Sequence, residues 1–238
     1  MRFLSAVLLT VSAHTLQAQP APIDANRPGF AATVGTMGVG VWQLETGIDY
    51  TRGSGSNRDY SLPAAELRVG VLEGAELYIN SINWTKQENS QGTTRGFQDF
   101  KIGTKFRTTR GTFDSAILAD VLIPAGDDKL TADRWDPAVS YTWLHNPSAI
   151  AGMVRVRRIK DGVQLDNAFK WSFAAGESGS AFVEWEANLP EGGDDAHWLN
   201  LGYALVRALN TQFDVNAGVG LNDTAGDYRL GVGFSYRF

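Results

Sequence analysis

Through most of its length the chain repeats one pattern: stretches of roughly ten residues in which every second side chain is large and apolar while those between are small or charged. In "WQLETGIDYT", Trp42, Leu44, Thr46, Ile48 and Tyr50 share one face, and Gln43, Glu45, Gly47, Asp49 and Thr51 share the other. In "FQDFKIGTKFRT", Phe100, Ile102, Thr104 and Phe106 oppose Asp99, Lys101, Gly103, Lys105 and Arg107. A period of two places successive side chains on opposite faces of a pleated strand. Later stretches repeat it: Val154 and Val156 against Arg155 and Arg157; Phe169, Trp171 and Phe173 around Lys170; Val183, Trp185 and Ala187 against Glu184 and Glu186. Around 77–84 and 113–123 both faces carry apolar residues, so the pattern does not fix the register there.

Gly, Pro, Asn and Asp bound about twelve such strands, and no helical period of useful length interrupts them. The expected fold is therefore all-β, a transmembrane antiparallel up-and-down β-barrel of about twelve strands preceded by a cleaved signal peptide. Connection lengths agree: "LEGA", "TTRG", "HNPS", "AAGESG" and "RALN" are tight, whereas "RGSGSNRD", "KQENSQGTTRG", "AGDDKLTADRWD" and "EGGDDAH" on the other rim are mostly longer, with "KDGV" the one short upper loop. A soluble barrel would show the same period with the apolar face inward. Charges in the middle of strands and aromatics near strand ends favour the opposite orientation, with lipid outside. Trp42 and Tyr50 on one face are separated by roughly 20 Å along a membrane normal, close to the spacing of two aromatic girdles. The last strand keeps its apolar face to Tyr236 and Phe238, which resembles the signal read by the barrel insertion machinery. The expected setting is the outer membrane, with its lipids as the first partner.

Residues 1–18 read as a signal peptide: Arg2, an apolar run from Phe3 to about Val11, then small and polar residues up to Ala18. Residues 19–38, "QPAPIDANRPGFAATVGTMG", precede the barrel at 39–238 and read either as a periplasmic tail or as a lumen plug with Arg27 pairing Glu45 or Glu66. The net charge of -5 without a basic stripe argues against a nucleic-acid partner, and the lack of cysteine excludes disulfide frameworks and thiolate metal sites.

The inward faces define candidate pore-lining residues: Glu45, Asp49, Glu66, Glu184, Glu186 and Asp214 on one set of strands, Lys101, Lys105, Arg107, Arg155, Arg157 and Lys170 on another. Acid facing base across the lumen would orient dipolar solutes; the alternative is that these charges pair and fill the interior. His14 lies in the signal, His145 in an expected lower turn and His197 in an expected upper loop, none with a serine placed for nucleophilic catalysis. Asp194, Asp195 and His197 read as a solvated acidic loop. No enzyme, metal or cofactor is expected.

The stretches "NRPGF" (26–30), "GVWQLETGIDY" (40–50), "LPAAELRVGVLEGAELYI" (62–79), "GFQDFKIGTKFR" (96–107), "LIPAG" (122–126) and residues 210–238 resemble the putative MetA-pathway of phenol degradation family of outer-membrane barrels, whose members are commonly labelled transporters. Asn26 stands where that family usually has Asp before Arg-Pro. The resemblance implies passive uptake of a small solute, aromatic or otherwise poorly polar, whose identity it leaves open. The competing reading is a sealed barrel acting through its extracellular loops as a structural or surface-interaction protein.

Overall fold

The computed structural model describes residues 22–238, with nothing described for the side chains of Ser81 and Ile82; the expected signal sequence lies outside the described residues. Thirteen strands follow in order: β1 (Trp42–Arg52), β2 (Arg58–Leu72), β3 (Ala75–Asn89), β4 (Gly92–Phe97), β5 (Phe100–Thr109), β6 (Phe113–Ile123), β7 (Asp136–His145), β8 (Ile150–Ile159), β9 (Gly162–Ala174), β10 (Gly179–Pro190), β11 (Ala196–Ala208), β12 (Thr211–Gly220) and β13 (Tyr228–Arg237). β4 and β5 make one stave, because β3 pairs with β4 through Trp84–Asn89 and with β5 through Ala75–Asn80. The interruption falls at Gln98 and Asp99. The result is a closed antiparallel barrel of twelve staves, sealed where β1 meets β13 and where β2 meets β3.

Closure follows from solvent. Hydrocarbon offers no partner to a backbone N–H or C=O, so a spanning sheet has to pair its own edges. The side chains sort accordingly: Trp42, Ile48, Phe106, Val139, Val154, Trp171, Trp185, Leu201, Phe213 and Val232 are exposed on the outer wall, while Glu45, Arg68, Glu76, Lys105, Asp166, Glu184 and Asp214 are buried inside. In the two stretches of ambiguous register, Leu77 and Ile117 face out, and Tyr78, Ala116 and Leu118 face in. Rings gather near both rims. Trp143 packs on Phe113 (5.8 Å) and Phe169 (6.2 Å) below, and Tyr50 packs on Tyr60 (4.9 Å) and Tyr228 (5.9 Å) above.

The rims carry short turns below and longer connections above, as expected, with two differences. "KQENSQGTTRG" is strand rather than loop: β3 runs on to Asn89 and turns at Ser90 and Gln91, with Lys86 opposite Arg95 and Glu88 opposite Thr93. The β-branched Thr93 and Thr94 suit the extended pairing. His197 is likewise strand, inside β11, with its ring stacked on Trp185 at 5.8 Å.

The long 124–135 connection is tied down at the break between β4 and β5. Asp99 accepts hydrogen bonds from the N–H groups of Ala125 (3.0 Å), Gly126 (2.9 Å) and Ala132 (2.7 Å). Burial pushes this carboxyl up, but the bonds from Ala132, Thr131, Gly126 and Ala125 outweigh it and hold Asp99 below the ordinary carboxylate range. A depressed pKa stabilises above the unfolded value of about 3.9 and loses that contribution as pH falls through the folded value. Amide-exchange protection at Gly126 and Ala132 should thus persist at neutral pH and fade only below about pH 4. Asp99→Asn should remove it at neutral pH, and unchanged protection would disprove the tether.

Leu201 sits near the middle of β11 and is 56% exposed. Leu201→Arg should destabilise the inserted barrel by about 2–4 kcal/mol, the penalty for a charge at the lipid midplane. Equilibrium unfolding in lipid vesicles measures it, and a change near zero would place β11 with the other face outward.

Candidate functional site: the filled lumen

Residues 23–37 run inside the barrel, and 38–41 lead from its lower rim into β1. The segment enters beside β2, where Val39 forms a parallel bridge with Gly70. Gly40 N–H donates to Gly70 O (2.9 Å), and Gly70 N–H donates to Val41 O (3.1 Å). A Cβ at position 70 would collide with the carbonyl of Gly38, so glycine is required there. Gly40 takes φ +74° as the chain turns into β1.

The lower lumen is organised by Arg68, whose side chain is fully buried. Its guanidinium donates to Glu45 Oε1 (2.8 Å) and to Glu76 Oε1 and Oε2 (2.9 and 3.1 Å), and it reaches the carbonyls of Asp24 (3.0 Å) and Gly35 (3.3 Å) in the inner segment. Lys105 Nζ lies 3.2 Å from Glu76 and donates to Gly35 O (3.1 Å). Glu76 in turn accepts the N–H of Met37 (2.8 Å). Such a cluster survives burial only when each charge is paired and its remaining valences are filled.

Halfway up, Arg27 is the anchor. Its N–H donates to Glu45 (3.0 Å), its guanidinium to Asp49 (3.1 Å) and to the carbonyl of Val232 (3.2 Å), and its Nε lies 3.4 Å from Asp214. The guanidinium lies over Gly47 and Gly233, where a Cβ would occupy its place. Asn26 donates to Glu66 (2.8 Å) and accepts the N–H of Thr33 (3.1 Å). The departure from Asp therefore matters, because an acid here would set a second anion against Glu66. The N–H groups of Phe30 and Ala31 both donate to the Glu184 carboxylate (2.8 and 3.0 Å).

Above the segment the pairs are Arg155 with Asp120 (3.1 Å), Arg157 with Asp166 (3.2 Å) and Arg229 with Glu186; Arg107 pairs with Asp114 (2.6 Å) near the lower rim. Lys101 lies over the ring of Tyr78 (5.7 Å) and Lys170 over that of Phe182 (5.5 Å). The charges are thus matched locally, and acid does not face base across the lumen. Topology gives the reason: β9 neighbours β10, which makes Lys170 the register partner of Glu184.

Sequence reasoning left out Arg68, Glu76, Asp114, Asp120, Asp166 and Arg229, the partners that complete these pairs. Arg68 shares the strand face of Glu66, and that parity was the available signal. Glu76 and Asp120 fall at or beside the stretches of unresolved register.

Cavities flank the inner segment. One of about 280 Å³ lies between Arg27, Phe30, Asp49, Glu184 and Arg229, and one of about 420 Å³ between Phe30, Arg155, Arg157, Asp166 and Asn188. Among the described residues no group of three or more His, Asp or Glu side chains forms a metal site. His145 Nδ1 lies 2.7 Å from Ser148 Oγ, within the turn at the lower rim.

A closed sheet with its apolar side outward and its charges sealed inside defines an outer-membrane β-barrel. Residues 25–238 match the family described as "Putative MetA-pathway of phenol degradation", and the chain belongs to that family. Its fold is similar to that of the COG4313 outer membrane channel from Pseudomonas putida F1, with TM-score 0.60 and 13% identity over 85% of this chain and 97% of that one. It is also similar to a KdgM porin, with TM-score 0.55 and 12% identity over 82% and 99%. No curated protein matches the sequence.

Removing Arg68 would leave Glu45 and Glu76 buried without their main counter-charge. Arg68→Met should cost about 3–5 kcal/mol in chemical unfolding of the refolded barrel, and Arg68→Lys should recover only part of it because the bidentate grip is lost. A loss below about 1 kcal/mol would mean the cluster is solvated.

Proposed function

We propose that the protein is a narrow outer-membrane channel for passive uptake of small solutes, closed at rest by residues 22–38 acting as a plug, and that it performs no catalysis. The observation that carries this reading is the way the segment is held. Its N–H groups at Arg27, Phe30, Ala31 and Met37 each donate to a wall carboxylate. Hydrogen bonds to charged partners are individually strong yet replaceable by water, so they suit a part that seats and unseats. Twelve staves lie between small barrels that their own side chains fill and wide porins with open channels, which leaves room for one inserted strand of chain. Likeness of fold to a channel and a porin supports the same role. The pore-lining set would then be the wall groups that the plug uncovers: Glu45, Asp49, Glu66, Glu184 and Asp214, with Lys101, Lys105, Arg107, Arg155, Arg157, Lys170 and Glu186 around them.

The test is single-channel recording in planar bilayers. The intact protein should show brief, infrequent openings, and deletion of residues 22–38 should give sustained ohmic steps. Arg27→Ala should raise the open fraction roughly 5–30-fold, the factor that one or two kcal/mol represents. A deletion variant that still migrates as a folded, heat-modifiable barrel yet stays silent would refute the channel and favour a sealed barrel working through its loops.

A further inference from the structure

The lipid-facing wall changes character at the upper rim of β1 to β4. Register sets its outward side chains in rows. In the upper row Arg52 opposes Arg58, and Arg58 opposes Glu88. In the row below, Tyr50 opposes Tyr60, Tyr60 opposes Lys86, and Lys86 opposes Arg95. Lys86 lies over the Tyr60 ring at 5.5 Å. Four cations thus share this face with two carboxylates: Glu88 takes both Lys86 (2.6 Å) and Arg58 (3.5 Å), and Asp227 takes Arg52 (3.6 Å). Arg95 is exposed and has no ion pair among the described residues. The face is therefore positive. Elsewhere the strand tops are apolar on the outside: Phe100 of β5 opposes Ile123 of β6, and Val163 of β9 is exposed.

Below the cations the wall is dented. Leu62 and Pro63 bulge out of β2 between Ser61 and Ala64, and the register of β1 on β2 shifts at the same height, between Gly47 and Asp49. A bulge leaves residues outside the ladder and turns them off the sheet. Leu62 and Pro63 form one bank of an apolar groove of about 640 Å³, floored by Thr46 and Ile48 and closed by Val232, Phe213 and Phe234. Ile48 stands one outward position below Tyr50.

We infer that this face is a docking site for a phosphorylated, multiply acylated lipid of the outer leaflet, with phosphate held by Arg58, Lys86 and Arg95 and one acyl chain lying in the groove. Height supports it. At about 3.3 Å per residue and a tilt near 40°, two residues rise roughly 5 Å, so Arg52 and Arg58 stand that far above the tyrosines of the upper girdle, at headgroup depth. Charge supports it too. Two cations share Glu88 and a third is unpaired, which leaves donors for an anion that the two carboxylates do not satisfy. The groove supplies what a free anion would not need, an apolar trough directly beneath the charges. A chain lying there covers the stretch where the bulge interrupts the β1–β2 ladder, so the lipid seals the wall at its least regular point. The site belongs to the outer surface and stands whether or not the lumen conducts.

Native mass spectrometry of the refolded protein with added lipids tests this. Bisphosphorylated, hexa-acylated lipid A should stay on the barrel under activation that strips phosphatidylcholine. Arg58→Gln, Lys86→Gln and Arg95→Gln combined should weaken its retention at least about tenfold. The same loss of charge at Arg110, Lys129 and Lys160, exposed cations elsewhere on the rims, should change it less than about twofold. Thr46→Trp, which fills the groove, should also weaken it while leaving the charges in place. Arg95→Gln alone breaks no ion pair, so it keeps the test open if the triple variant does not refold, and it should weaken retention about threefold or more. Equal retention of phosphatidylcholine, or equal damage from the control triple, would mean that the wall does not read a headgroup, and the inference would fall. Displacement of lipid A by equimolar inorganic phosphate, or indifference to Thr46→Trp, would reduce the site to a free-anion patch and overturn the lipid as its occupant. Retention unchanged by either the triple variant or Arg95→Gln would remove the cations from the site altogether.

Discussion

Hydrocarbon cannot hydrogen-bond to a peptide group, and the rest of this structure follows from that restriction. It forces the staves to close, closure turns every second side chain inward, and the inward positions then hold the polar residues that lipid excludes. The inner segment meets the same restriction again. Residues 22–38 cross the barrel without a ladder of their own, so their peptide groups need partners from the wall. The wall supplies them residue by residue. Carboxylates take the N–H groups of Arg27, Phe30, Ala31 and Met37. Arg68, Lys105, Gln212 and Thr142 give to the carbonyls of Asp24, Gly35, Arg27 and Ala32. The lumen charges therefore serve as hydrogen-bond partners of an extended peptide as well as partners of one another.

The segment also makes one apolar contact with the wall. Ala31 packs on Met153 of β8 and Ala168 of β9 with Phe30 and Ala32 beside it, while Thr142 of β7 donates to the Ala32 carbonyl and Glu184 of β10 accepts the Ala31 N–H. Charge pairs reappear above and below this level, as Arg155 with Asp120 and Arg107 with Asp114. Polar grip and apolar contact thus meet on the same few residues of the segment, with Glu184 on the strand next to the one that carries Ala168.

Much of the barrel was legible in the sequence because strand period and connection length are local properties. Glu45 beside Trp42 and Leu44 already shows which face is wet and which is greasy. The partners of Arg68 were not legible. Its bonds to Glu45 and Glu76 join three strands, and which inward charges become neighbours depends on the register of β1 on β2 and of β2 on β3, with β-bulges that no alternation reports. Acid and base are matched locally for the same reason: β9 lies beside β10, a fact about order around the ring. The course of residues 22–38 had no signal of its own, since the segment has no period and its structure is borrowed from the wall. The Asn89 hairpin reads as loop in the sequence because its Ser, Asn and Gly content outweighs the threonines.

Arg27 shows how the lumen depends on the closure of the ring. Gly47 and Gly233, over which its guanidinium lies, are register partners on β1 and β13, the seam where the first and last staves meet. Asp214 comes from β12, and Asp49 from β1. Before the seam forms, β1 offers Glu45 and Asp49, but the floor beneath the guanidinium and the Val232 carbonyl that it reaches are missing. The site that holds Arg27 is therefore completed by closure itself. Arg27 therefore depends on the closed ring in a way that the Arg68 cluster does not, since the partners of Arg68 lie on β1 and β3, the two strands that flank β2.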